Sequence, residues 1–188
     1  MNWHELTQEL APTLRTGQLE ACIDRAAQVL RMQPESPFIK VLDLDFTNKP
    51  KDVATHIDNF ISVEKNRINI KAVYAETNGF YINTDRWFFD VFAFESYEGH
   101  EDYDWLSDWQ SDDFPEMTLS GMEELQGIYK KSLHIPDFEE AKHIASLLVV
   151  MKFQRLIQRA AHVMDELEVP LLATSHEFDF IYEYNPNP

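Results

Sequence analysis

Carboxylates and tryptophans are concentrated in one stretch of the chain, between Glu95 and Glu124. Carboxylates bind Lys and Arg side chains or cations, and tryptophan is a frequent anchor of protein interfaces. The stretch is therefore a candidate surface for docking a basic partner. Nine of its residues are the candidate contacts: Glu98, Glu101, Asp102, Asp104, Trp105, Asp108, Trp109, Asp112 and Asp113.

The two tryptophans of this stretch, Trp105 and Trp109, admit more than one interpretation. On a helical turn they would share one face and could anchor a partner. Alternatively, both rings cover the sheet, because a buried tryptophan removes a large apolar area from water. The rings could also stack on sugars while Asp102, Asp104 or Asp108 act as acid and base, as in a glycosidase.

Four acids of the stretch are spaced in a way that partly matches the calcium-binding loop of an EF-hand. Asp102, Asp104, Asp108 and Asp113 match four ligand positions of an EF-hand. The pattern fails because Ser107 stands where that loop requires glycine. No metal and no cofactor is therefore expected, although calcium binding of another kind remains an alternative.

Asp90 is the acid whose surroundings are most unusual. It lies in the aromatic run 86–95, where alternate residues on both sides of the predicted strand are otherwise apolar. Desolvation in such a place raises the pKa of a carboxyl group unless a cation pairs with it. The sequence therefore predicts either a perturbed carboxyl group or an ion pair with Arg86 or with a basic residue of the long C-terminal helix.

Other residue types with chemical potential give weaker signals. Glu140 and His143 have the Glu-x-x-His spacing of di-iron sites, but the second such motif is missing. Cys22 lies among apolar residues, which favours a buried, inert thiol. The run 175–177 (Ser-His-Glu) could supply a nucleophile and a base, but a triad would require a third element that the sequence does not show, and a turn with a histidine at the start of a strand is the simpler interpretation.

The charge of the chain excludes two classes of partner. The formal net charge is −17, from 33 acidic and 16 basic residues. Residues 87–129 contain twelve of the acids and no Lys or Arg. Such a field repels phosphate backbones and anionic lipids, so direct binding to nucleic acid or to a membrane surface is not expected.

The patterns of apolar residues predict an α+β fold. We expect an antiparallel sheet of about four to five strands with helices packed on it, an N-terminal helical segment and one long C-terminal helix. Asn78-Gly79 predicts a hairpin between two of the strands. The long helix is expected from about Asp137 to Leu167, with Lys152 on its solvent-exposed side.

The length predicts one domain, 1–188, with an ordered alternation of element types. Residues 1–65 read as mainly helical, 66–119 as strand and acidic loop, 120–168 as helical and 169–184 as terminal strands. The N-terminus lacks the features of a signal peptide, so a cytoplasmic location is expected.

The function favoured by these patterns is a non-enzymatic, acidic protein-binding module that docks a basic partner. Immunity-type inhibitors of basic toxins and mimics of nucleic-acid charge are classes of this kind. The alternative is a small hydrolase, glycosidase-like or metal-assisted, that uses Asp or Glu side chains of the same region.

Overall fold

In the computed structural model, which describes residues 2–132 and 138–186, five strands form one sheet in the order β3–β2–β1–β4–β5. This confirms the predicted α+β class and strand number. The strands are β1 (Ala72–Thr77), β2 (Phe88–Phe94), β3 (Met117–Thr118), β4 (Leu171–Ser175) and β5 (Tyr182–Tyr184).

Helices precede the sheet and are inserted between β3 and β4. They are α1 (Trp3–Arg15), α2 (Leu19–Arg31), α3 (Pro50–Glu64), α4 (Glu123–Ser132) and α5 (Glu139–Ala161), with 3₁₀-helices at Pro37–Asp43 and Asp104–Ser107. The predicted start of the long helix at Asp137 lies outside the described residues. None of the described helices has both the length and the apolar character needed to cross a membrane.

The first helix illustrates how local chemistry sets an element boundary. The Asn2 side chain accepts a hydrogen bond from the Glu5 backbone at 2.9 Å, and the Glu5 carboxylate accepts one from the Asn2 backbone at 3.0 Å. This capping box satisfies two backbone donors that the first turn leaves free. Likewise Pro50 occupies the start of α3, where its missing N–H costs nothing.

The expectation of a wholly antiparallel sheet is wrong, because β1 and β4 are parallel. The other three pairings, β1 with β2, β2 with β3, and β4 with β5, are antiparallel. Parallel neighbours require a long crossover connection. Here the chain that follows β2 includes α4 and α5 before it enters β4 beside β1, so the sheet is mixed.

The strands on either side of Asn78-Gly79 do pair as an antiparallel hairpin, β1 with β2, but the tight turn predicted at these two residues is wrong. β1 ends at Thr77 and β2 begins at Phe88, so residues 78–87 form a longer connection. Phe80 in this connection is buried, and its ring lies 5.2 Å from that of Trp87. The Trp87 indole N–H donates to the Phe80 carbonyl at 3.1 Å. Burial of these two large side chains outweighs the local preference for a tight turn.

The inner face of the sheet, defined as the side against which α5 packs, carries the main core. Most of its strand residues are apolar and buried, the polar Thr77 and Ser175 are buried at one end of it, and all alternate with residues of the opposite, outer face. They include Val73, Ala75, Phe89, Val91, Ala93, Leu171 and Ala173.

A second, smaller core lies on the outer face. It consists of Ala72, Tyr74, Phe94, Trp105 and Leu172. Both faces of β2 are thus covered, as its aromatic sequence predicts. The cover of the outer face comes from the acidic stretch of the chain rather than from a helical layer.

Candidate functional site

Residues 95–116, here called the covering segment, connect β2 to β3, and the part around Trp105 packs on the outer face. Trp105 is its buried centre, with 8% of its surface exposed. The Trp105 ring is 4.9 Å from that of Phe94, and its indole N–H donates to the Gly99 carbonyl at 3.2 Å. Burial of this side chain anchors the segment to the sheet.

The C-terminal half of the covering segment is hydrogen-bonded to β2. The Gln110 backbone N–H donates to the Ala93 carbonyl at 3.0 Å, and the Ala93 N–H donates to the Ser111 hydroxyl at 3.0 Å. The Gln110 side chain accepts from the Glu95 N–H at 2.8 Å. These three hydrogen bonds hold the segment against β2, although it forms no regular strand there.

The acids of the covering segment point to solvent. Asp112 forms an ion pair with Arg67 at 3.1 Å. The remaining acidic candidates have no Lys or Arg partner within ion-pair distance among residues 2–132 and 138–186. All seven are exposed: Glu98, Glu101, Asp102, Asp104, Asp108, Asp112 and Asp113. Their charges are thus available to an external cation.

The two tryptophans of the segment have different surroundings. Trp105 covers the sheet, which is the second of the interpretations given above. Trp109 is 48% exposed, and its ring lies 4.9 Å from that of Phe92. Trp109 and Phe92 therefore form an aromatic pair that is open to solvent among the acids.

Beneath this aromatic pair, three carboxylates lie in a row across the outer face. Glu76 on β1 is directly opposite Asp90 on β2. Glu116 precedes Met117, which pairs with Phe89, so Glu116 reaches the other side of Asp90. Opposed residues in an antiparallel pair have Cβ atoms about 4.5–5.5 Å apart, and like charges there repel.

The surroundings of Asp90 raise its pKa to about 6. Desolvation by burial is the largest cause, and the negative charges of Glu116 and Glu76 add to it. Arg86 opposes the shift, but its guanidinium group is paired with Glu116 at 2.6 Å. In the described part of the chain Asp90 has no ion-pair partner of its own, so desolvation rather than pairing governs it.

Glu76 has two polar neighbours on the same face. The Tyr74 hydroxyl donates to the Glu76 carboxylate at 3.0 Å. The His176 Nδ1 atom lies 3.6 Å from the same carboxylate oxygen. Groups that can accept or donate protons are thus found on β1 (Glu76), on β2 (Asp90) and directly after β4 (His176).

A cleft of about 310 Å³ opens beside Asp90. Its walls include Phe92, Trp109, Asp113 and Glu116. A carboxyl group with a pKa near 6 can release a proton close to neutral pH, while a carboxylate beside it accepts one. The cleft therefore combines an acid–base pair with an aromatic wall.

The residues of the Ser-His-Glu run do not come together. The Ser175 hydroxyl faces the Asn78 carbonyl at 3.5 Å, His176 lies beside Glu76, and Glu177 accepts a hydrogen bond from the Tyr81 hydroxyl. Because each side chain has a different neighbour, the three form no catalytic triad.

The other candidate residues have structural surroundings. Cys22 is buried, and desolvation raises the pKa of its thiol to about 11, which fits an inert residue. The His143 ring lies 5.4 Å from that of Trp3. Within the described ranges, no group of three or more His, Cys, Asp or Glu side chains is suited to hold a metal ion.

Sequence reasoning identified Asp90 but missed Glu76 and Glu116 as its neighbours, and His176 as a neighbour of Glu76. Glu76 is visible as a polar position in an otherwise apolar strand. Its partner across the sheet depends on strand register, which joins residues far apart in the chain and has no local signal here. No protein-family model matches this chain, and no curated protein or solved structure is significantly similar to it.

Proposed function

We propose that the chain is a cytoplasmic protein-binding module that docks a basic protein on the covering segment. The observation that carries the proposal is a set of exposed carboxylates, on a segment anchored by Trp105, that have no cationic partner within the described residues. These are Glu98, Glu101, Asp102, Asp104, Asp108 and Asp113.

The exposed aromatic pair supports the proposal independently of charge. Trp109 is half exposed beside Phe92 and lies within the sequence of acids. Interfaces commonly combine an aromatic anchor with a polar rim. In this arrangement Trp109 supplies apolar contact area, and the acids around it select a partner with Lys and Arg side chains.

Charge gives the interaction its expected kinetics. Residues 87–129 carry twelve acids without a Lys or Arg, so the field near the segment attracts cations before contact. Electrostatic attraction of this kind speeds association and weakens as salt screens it. The partner is therefore a protein with a basic surface, bound in a salt-sensitive manner.

The proposal is tested by affinity capture with a charge variant of the covering segment. The variant carries Glu98→Gln, Glu101→Gln, Asp104→Asn and Asp108→Asn, and it leaves the Asp112–Arg67 ion pair intact. Capture from lysate is compared at about 0.05 M and about 0.5 M salt. We expect the unmodified chain to retain a basic protein at low salt and the variant to lose it.

A matched variant separates this surface from the total charge. Asp24→Asn, Glu35→Gln, Asp52→Asn and Glu168→Gln remove the same number of exposed acids elsewhere. The matched variant should capture the partner as the unmodified chain does. Equal loss in both variants, or capture that is indifferent to salt, would contradict docking on the covering segment.

A second function, hydrolysis of a glycoside, is favoured by one specific observation. Asp90, whose pKa is raised to about 6, lines a cleft together with Glu116, Phe92 and Trp109, and Glu76 is its cross-strand neighbour. Most glycosidases use a pair of carboxyl groups, one as general acid and the other as base or nucleophile, and an aromatic surface can stack on the sugar ring. In this function protonated Asp90 is the general acid and Glu76 or Glu116 the second carboxylate.

Hydrolysis of a panel of nitrophenyl glycosides tests this second function. Activity should fall as pH rises through about 6, since Asp90 then loses the proton that it donates. Asp90→Asn should abolish the activity, whereas the four-residue matched variant should keep it. An activity that survives Asp90→Asn would exclude the assigned acid.

A further inference from the structure

A second cavity, of about 550 Å³, shares no lining residue with the cleft beside Asp90. It is formed by the first turns of α1 and α5, by Tyr81, and by residues 177–180 between β4 and β5. Ligand cavities span about 300–1,000 Å³, so this one can enclose a small molecule.

Aromatic side chains form much of the cavity wall. Trp3 and Phe178 are partly buried, and Phe180 is buried. The rings of Tyr81 and Phe178 are 6.4 Å apart. Aromatic walls of this kind bind flat apolar groups, because they offer a large contact area that loses little conformational entropy.

Nitrogen bases are grouped on the helical side of the cavity. Lys142 and His143 come from α5, and His4 comes from α1. The His4 ring stacks on Trp3 at 4.3 Å, and the His143 ring is 5.4 Å from Trp3. An ammonium group beside two imidazoles offers hydrogen-bond donors to an anion.

The acids of the cavity are on the side formed by residues 177–180. The Glu177 carboxylate accepts a hydrogen bond from the Tyr81 hydroxyl, and this bond is the main reason why the pKa of Tyr81 is raised to about 12. Glu177 adopts a positive φ of 66°, which is uncommon for a residue other than glycine. Asp179 is exposed. The lining thus holds two carboxylates, of which Glu177 is engaged by Tyr81, and three nitrogen bases that can donate hydrogen bonds to a ligand.

We propose that this cavity binds a small aromatic carboxylate. The aromatic ring lies against Trp3, Tyr81 and Phe178, and the carboxylate accepts hydrogen bonds from Lys142 and the neighbouring imidazoles. This site is separate from the covering segment and does not depend on the function proposed for it.

Binding of 3-phenylpropionate to the full chain tests the proposal, measured by saturation-transfer NMR and by tryptophan fluorescence. We expect saturable binding, and weakening by about tenfold in Lys142→Met, which removes a charge-assisted hydrogen bond but keeps the aliphatic stem. Lys142 is only partly buried, so this variant should fold. Lys131→Met, an exposed lysine on α4, is the matched control and should bind unchanged.

Two further probes distinguish the charge of the ligand from its ring. 3-Phenylpropanol, which lacks the charge, should bind about tenfold more weakly than 3-phenylpropionate. 3-Phenylpropylamine tests the acidic side of the cavity. The proposal is overturned if the unmodified chain shows no saturable binding, if the amine binds as tightly as the carboxylate, or if Lys142→Met leaves the affinity unchanged.

Discussion

Glu76 on β1 and Asp90 on β2 stand directly opposite each other on the outer face of the sheet. Like charges in this relationship are unfavourable, and neighbouring Glu116 adds a third negative charge. Arg86 relieves only part of the repulsion, because it pairs with Glu116. The sheet thus retains a local electrostatic cost at the place where the cleft opens.

Replacing Asp90 with Asn should stabilise the protein at neutral pH. The pKa of Asp90 is raised from its ordinary value of 3.8 to about 6, so the folded state holds its proton more tightly than the unfolded state. The contribution of this proton to the free energy of unfolding is fully present below about pH 4 and is lost as the pH rises through about 6. Because the side chain is partly exposed and solvent screens it, the gain in Asp90→Asn at pH 7 should be about 1–2 kcal/mol.

Urea unfolding at pH 4 and pH 7 measures this effect. The gain in unfolding free energy from Asp90→Asn should be present at pH 7 and small at pH 4. Asp24→Asn, at an exposed position on α2, is the control for a general change in net charge. A gain of equal size at both pH values would show that the proton on Asp90 is not its cause.

Local sequence patterns predicted much of this face but could not predict its pairing. Alternation in β2 correctly separated Phe89, Val91 and Ala93 on the inner face from Asp90 and Phe92 on the outer face. The parallel neighbour of β1 is β4, about a hundred residues later in the chain, and its position is set by how α5 packs. Contacts of that kind leave no periodic signal in either strand.

Gly121 is the glycine whose replacement should cost most. It has a φ of +102°, and an added Cβ would lie 2.3 Å from the Asp45 carbonyl oxygen, a backbone atom that cannot move aside cheaply. Gly121→Ala should destabilise the fold by about 3 kcal/mol or more, from overpacking together with backbone strain. Thermal unfolding followed by circular dichroism measures the loss.

Gly127 on α4 is the matched position. A Cβ there meets nothing within 4 Å, and the residue is helical. Gly127→Ala should therefore stabilise the protein by about 0.5–1 kcal/mol, because alanine loses less backbone entropy in a helix. The prediction for Gly121 is wrong if both substitutions change stability in the same direction.

Truncation of the two tryptophans of the covering segment should change the unfolding free energy by very different amounts. Trp105→Ala removes a buried ring and should lower the unfolding free energy by about 3 kcal/mol. Trp109→Ala removes a ring that is 48% exposed, so its effect on stability should stay within about 1 kcal/mol.

For partner binding, by contrast, Trp109 should matter directly, because its ring is exposed on the docking surface. Trp109→Ala should weaken capture of the basic partner in a protein that remains folded, which chemical unfolding and the capture assay measure together. If Trp109→Ala retains the partner fully, Trp109 is not the apolar centre of the docking surface. Spacing alone could not separate these two residues, since both lie in a stretch without regular periodicity.

Lys152 shows why a charged residue in an amphipathic helix can be misassigned. Its position predicted solvent exposure, yet it is only 6% exposed. Its ammonium group donates to the Val41 carbonyl at 2.8 Å and to the Leu44 carbonyl. Val41 lies in the last turn of the 3₁₀-helix Pro37–Asp43, and its carbonyl also accepts from the Leu44 N–H at 3.4 Å, whereas Leu44 itself follows the helix.

Lys152→Met should therefore destabilise the protein even though it removes a buried charge. Burial lowers the pKa of Lys152, which is an unfavourable contribution that methionine would relieve. Against this, the substitution removes the ammonium donor from both carbonyls and leaves that of Val41 with only the long bond from the Leu44 N–H, at about 1–3 kcal/mol for a buried polar group. We expect the second effect to prevail, since nearby Asp45 and Asp43 favour the charged form of the lysine. Chemical unfolding at pH 7 compares Lys152→Met with exposed Lys131→Met, and equal stability of the two variants would show that the carbonyl contacts contribute nothing net.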